Sequence, residues 1–139
     1  MIRRKVLKNK PLVEAIFELR WELEEQVSGA KTDPHYKILI GRMYDRVKDD
    51  YPYHEELPTA TIPDEIAGYI IQHRFRKDKD MWPLIQVGPG IVTLNDTEGY
   101  VWDDFEERIK TKNCFRNFWI CCKVNNVIAF LVEIFLQPF

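Results

Sequence analysis

Hydrophobic and polar positions alternate without a break from Val13 to Leu23. Val13, Ala15, Phe17, Leu19, Trp21 and Leu23 share one side; Glu14, Glu18, Arg20 and Glu22 take the other, with Leu12 and Ile16. A period of two sends successive side chains to opposite faces, so residues 11–23 are predicted to form a strand with one face on a core. Residues 24–32 are polar, contain Gly29 and read as a loop. The period then changes. Tyr36, Ile40, Met43 and Val47 recur at helical spacing, and Leu39 and Tyr44 widen the stripe. Asp33 offers a carboxylate to the unpaired amides of a first turn, and Pro34 is tolerated at the first helical position. Pro52 prevents the helix from continuing.

Three prolines (Pro52, Pro58, Pro63) and Gly68 make residues 51–68 an irregular crossing segment. Alternation returns at residues 69–76, with Tyr69, Ile71, His73 and Phe75 set against Ile70, Gln72, Arg74 and Arg76. Residues 84–87 and 91–94 are short apolar strands joined by Gly88-Pro89-Gly90, a tight turn or bulge. Asn95, Asp96 and Thr97 offer capping oxygens to a second helix at about residues 99–111. Val101, Trp102, Phe105 and Ile109 form its apolar side, and Asp103, Asp104, Glu106 and Glu107 suit its dipole. Val127–Leu136 reads as a buried last strand. This order predicts an α+β fold: a ferredoxin-like βαββαβ arrangement or a close variant with an extra strand near Ile91. Its antiparallel sheet would carry two helices on one face.

The chain of 139 residues is the size of one domain with a real core. It divides into a basic arm (1–10, with Arg3, Arg4, Lys5, Lys8 and Lys10), a central region (11–113) and an atypical tail (114–139). The tail holds only Arg116, Lys123 and Glu133 as charges, all three cysteines, and five of the eight phenylalanines. Two readings account for it: a hydrophobic strand that completes the sheet, or a stretch supplied by a frameshift or an alternative gene ending.

A net charge of −2 gives no basic excess of the kind that nucleic-acid binding uses, so nucleic acid is disfavoured as a partner. The strip Arg74, Arg76, Lys77 and Lys79 with Trp82 is the one stretch that could hold a backbone and stack a base. No run approaches the ~18 apolar residues of a membrane span, and no apolar leader follows the charged start. Cys114, Cys121 and Cys122 match neither a disulfide framework nor a zinc pattern, which suits a reducing cytoplasm. His54-Glu55-Glu56 lacks a second histidine four residues on, and His35, His54 and His73 stand far apart, so no metal or other cofactor is expected. His73 reads as a sheet-face histidine. Gly88-Pro89-Gly90 lacks the free amides of a phosphate cradle. The polar segment 95–100, beside aromatic residues, is the place for a ligand pocket, with Trp82, Gln86, Asn95, Tyr100 and Trp102 as its candidate residues.

Two segments, PLVEAIFELRW (11–21) and WPLIQVGPGIVTLNDTEGYVWDDF (82–105), resemble the N-terminal half of a sporadically distributed family of uncharacterised prokaryotic proteins. The specific part is Gln86 through Gly90, then Thr93, Asn95, Tyr100, Trp102 and Phe105, and the likeness spans residues 9–110. It implies a cytosolic protein and supplies no activity. The family continues into a second domain where this chain departs, near Thr111. The expected function is a non-catalytic binding or assembly module, with a homodimer or another protein as partner. A small-molecule-binding domain or enzyme, and a nucleic-acid module, are the alternatives.

Overall fold

The first strand, β1 (Leu12–Trp21), sits inside the sheet and pairs on both sides. Ala15, Phe17, Leu19 and Trp21 are buried in one hydrophobic cluster, as the alternation requires. A computed structural model describes residues 12–97, 101–110 and 127–136. After β1 come a two-residue pair, β2 (Glu24–Glu25) and β3 (Lys31–Thr32), then helix α1 (Tyr36–Val47). Four strands follow: β4 (Tyr53–Glu56), β5 (His73–Arg76), β6 (Leu84–Gly88) and β7 (Ile91–Asp96). Helix α2 (Trp102–Lys110) and strand β8 (Val127–Leu136) complete the order.

Among the described residues the main sheet has six strands, all antiparallel, in the order β4-β5-β6-β7-β1-β8. The fold is therefore α+β. This order differs from the expected four-strand arrangement, with or without an extra strand near Ile91, and β4 is an edge strand that was not expected. Register fixes what each face carries. Phe17 lies opposite Leu94 and Leu19 opposite Val92, while Ile85 lies opposite both Leu94 and Phe75. These residues form the helix face, where α1 adds Tyr36, Leu39, Met43 and Val47, and α2 adds Phe105. Trp102 and Ile109 pack on the same cluster. In β8 the register sets Phe130, Val132 and Ile134 opposite Leu19, Phe17 and Ala15.

Several expectations change in the structure. The loop at 24–32 contains a small hairpin: Gln26 accepts from Gly29 N and donates its own N–H to Ala30 O, and Gly29 takes φ +85°. Helix α1 starts at Tyr36 rather than at Pro34; its buried stripe is Tyr36, Leu39, Met43 and Val47, with Ile40 partly buried against it, while Tyr44 is exposed. Strand β4 was not expected at all. Its four residues, Tyr-His-Glu-Glu, lie at the sheet edge between Pro52 and Pro58 and carry no hydrophobic alternation. Strand β5 begins only at His73, because Tyr69 adopts φ +61° and the chain from 69 to 72 turns past the end of β6. Asn95 and Asp96 belong to β7 and do not cap α2. Helix α2 starts at Trp102 rather than near Gly99; residues 98–100, the three cysteines and the basic arm lie outside the described residues.

The crossing of 69–72 over β6 explains a glycine. Tyr69 N donates to Pro89 O at 2.8 Å and Gln72 N to Val87 O at 2.9 Å, which draws the two backbones together. A Cβ built on Gly88 would lie 2.0 Å from the Ile70 carbonyl oxygen. Backbone cannot yield as a flexible side chain does. Gly88→Ala is expected to destabilise the protein by about 1–3 kcal/mol or more, as overpacking does. Urea denaturation followed by circular dichroism would show a lower midpoint with an unchanged slope.

Candidate functional site

The sheet face away from the helices carries a continuous row of polar side chains across its centre, with Ile16, Leu84 and Ile91 on the same face. Arg74 (β5) lies opposite Gln86 (β6), and Gln86 lies opposite Thr93 (β7), in the strand register. Arg74 Nε donates to Gln86 Oε1 at 3.0 Å, and Gln86 Nε2 donates to Asn95 Oδ1 at 3.2 Å. Thr93 Oγ1 donates to the same Asn95 oxygen at 2.6 Å, and Asn95 Nδ2 donates to Glu14 Oε1 at 2.9 Å. A guanidinium can only donate and an ionised carboxylate can only accept, so the two ends fix the orientation of both amides between them. The row therefore runs in one direction, from the Arg74 cation to the Glu14 anion, across four neighbouring strands. Asn95 is only 4% exposed, and among the described residues no buried side-chain nitrogen or oxygen is left unsatisfied.

Two of the five residues expected to bind a ligand, Gln86 and Asn95, thus stand together as links of this row. Trp82 and Trp102 are not joined to it. Trp102 lies on α2, on the helix face, 6.2 Å from Phe105 between ring centroids. Trp82 lies in the β5–β6 connection, 39% exposed, with the Arg76 guanidinium 5.6 Å above its ring. Tyr100 lies outside the described residues. The basic strip is divided: Arg76 is buried, donates to Met81 O at 3.1 Å and stands 3.8 Å from Glu55, and Arg74 is held by Gln86, while Lys77 and Lys79 are exposed.

A second feature gathers around Asp33. Its carboxylate accepts from Trp21 Nε1 at 2.9 Å, from Gly90 N at 3.3 Å and from His35 N at 3.2 Å. One side chain therefore ties the end of β1, the β6–β7 turn and the entry to α1. That turn consists of Pro89 and Gly90, the latter with φ +76°. Beside it opens a crevice of about 440 Å³ lined by Asp33, Tyr36, Lys37, Asp64 and Pro89 among others. Burial pushes the Tyr36 phenol well above its usual range, with Asp33 and Glu56 adding to the effect, and its hydroxyl donates to Val87 O. It acts here as a neutral donor.

The third feature was hidden in the sequence. Strands β4 and β5 bring His54 and His73 together, with His54 Nε2 2.9 Å from His73 Nδ1. The ring planes differ by 20° and the centroids are 5.2 Å apart. Near-parallel planes and that separation set the rings edge to edge, with the two nitrogens facing each other. His54 also lies against Phe75 at 5.1 Å, and His73 against Tyr36 at 6.3 Å. Burial holds the His73 imidazole below its ordinary value, the charge of His54 lowers it further, and Glu56 opposes both. Nineteen residues separate the two histidines, and only an awareness of β4 would have paired them.

Two expectations follow. Asn95→Ala leaves the Glu14 carboxylate and the Gln86 amide without their partner, and is expected to cost about 1–3 kcal/mol in urea denaturation. Because the folded state favours neutral His73, its contribution to stability is complete above the unfolded value of about 6.5 and is lost as pH falls from there through the lowered folded value. Unfolding midpoints in metal-free buffer between pH 7.5 and 5 should fall more steeply for the native chain than for His73→Gln. No family model, curated protein or solved structure matches this chain.

Proposed function

We propose that this domain is a non-catalytic assembly module that pairs with a second copy of itself through β8. The observation that carries the reading is the asymmetry of the two sheet edges. One edge is β4, four residues long; the other is β8, ten residues long. Among the described residues, no strand lies on the outer side of β8. An unpaired edge of that length is a template for another strand. A β8–β4 contact between copies would leave most of β8 unmatched, whereas two β8 strands related by a two-fold axis match along their whole length. A two-fold contact also closes on itself, which a β8–β4 chain of copies does not. The sequence of β8 contains one charge, Glu133, which presents little to oppose such a contact.

The four strands β6-β7-β1-β8 with their two helices are read as a ferredoxin-like unit, and β4 and β5 as an addition at its far edge. Supporting this, β7 and β8 flank β1 and are joined through α2, a split β-α-β arrangement. A second reading, a small-ligand domain, draws on the crevice beside Pro89. Thermal-shift screening with metabolites tests that reading, since a ligand of the folded state raises its stability.

Sedimentation equilibrium at high micromolar concentration is expected to give a dimer. Proline placed in turn at positions 129–134 should separate two classes. Where the amide points to β1, the variant loses structure; where it points outward, the variant keeps its circular dichroism and becomes monomeric. A native chain that stays monomeric, or outward variants that all still dimerise, would overturn the proposal.

A further inference from the structure

We propose that His54 and His73 form a two-imidazole site for a divalent transition-metal ion that favours right-angled coordination, of the Ni²⁺ or Cu²⁺ kind. The site goes beyond the assembly reading and lies at the opposite edge of the sheet from β8. The geometry already holds two ring nitrogens face to face at 2.9 Å. At metal–nitrogen distances of about 2.0–2.1 Å, nitrogens that far apart subtend ~90° at the ion. That angle belongs to neighbouring positions of a square-planar or tetragonal centre. A tetrahedral ion would need the two rings to move apart.

Binding requires each ring to swing until its lone pair points to a common centre, with the nitrogen separation kept. The proton now shared between the inner nitrogens leaves the ring that carries it, and that ring takes up a proton at its outer nitrogen. The neutral pair therefore accepts the ion with no net loss of protons. The surroundings suit this. His54 is seated on Phe75 and His73 beside Tyr36, both of them buried, so the platform beneath the rings is fixed. Tyr44 stands 6.4 Å from His54 on the helix side. Glu56, directly opposite His73 in the β4–β5 register, places a negative charge beside the ion. Among the described residues no three histidine, cysteine or carboxylate side chains converge on one point. Among the described residues two side chains serve as ligands and water provides the rest, which sets the affinity of an exchangeable site rather than a structural one.

The test is calorimetric titration of the whole chain with NiCl₂ at pH 7.5. Ni²⁺ is the probe because thiols do not reduce it as they reduce Cu²⁺, and the chain has three cysteines. One ion per chain is expected. His54→Gln and His73→Gln should each weaken binding by at least about ten-fold, the scale of losing support at a metal site. The double variant should be little worse than either single one, since one imidazole alone cannot chelate. His35→Gln should bind as the native chain does. Ni²⁺ should also raise the unfolding temperature of the native chain and not that of His54→Gln, whose exposed position makes loss of fold an unsuitable explanation. Absence of Ni²⁺ binding up to millimolar concentration would overturn the proposal, as would native affinity in both histidine variants.

Discussion

The packing of one face of β1 against both helices is the contact on which the other elements depend. Ala15, Phe17, Leu19 and Trp21 form the floor of the cluster that α1 and α2 cover. Because β1 is paired on both sides, its face also sets the level of its neighbours: Leu94 and Val92 reach the same layer only through their register with Phe17 and Leu19. A shift of one residue would turn the whole set outward and bring glutamates inward. The hydrophobic face thus specifies the register, and the register in turn builds the polar row on the reverse side. Glu14 meets Asn95, and Asn95 meets Gln86, because Phe17 meets Leu94 and Leu94 meets Ile85.

Asp33 plays the matching role outside the sheet. It links three segments, and two of its donors, the Trp21 indole and the Gly90 amide, come from the same end of the β1–β7 ladder, where Trp21 N also donates to Gly90 O. The side chain expected to cap a helix instead fixes where that helix starts relative to the sheet. The crevice beside Pro89 is a by-product of the same arrangement, since its walls are the turn and the helix entry that Asp33 joins.

Long, regular patterns were legible in the sequence and short or interrupted ones were not. The alternation in β1 and the helical stripe in α1 each span many residues, so burial on one side leaves an unmistakable period. The tight turn at Pro89-Gly90 was legible because few residues permit it. Strand β4 was not, because an edge strand has one neighbour and the residues Tyr53 to Glu56 need no apolar alternation. With β4 unseen, the pairing of His54 with His73 was unseen too. Gln86 and Asn95 were singled out as polar residues near aromatics; their actual association follows from cross-strand register, which no local pattern encodes. Trp102 went to the opposite side of the sheet because its partners are Phe105 and the core.

The pairing of β1 with β8 joins Leu12 to Leu136, so nearly the whole chain lies between two strands in contact. During synthesis the first strand emerges long before its partners. Its neighbour β7 follows only after about half the chain, and β8 comes near the end. Until then the apolar side of β1 must stay exposed or be held by other surfaces, and closing so long a loop is slow compared with forming a hairpin such as β6–β7. Local pairings such as β6–β7 have the shortest loops to close, and a nascent chain halted before β8 leaves β1, an inner strand of the finished sheet, with an open edge.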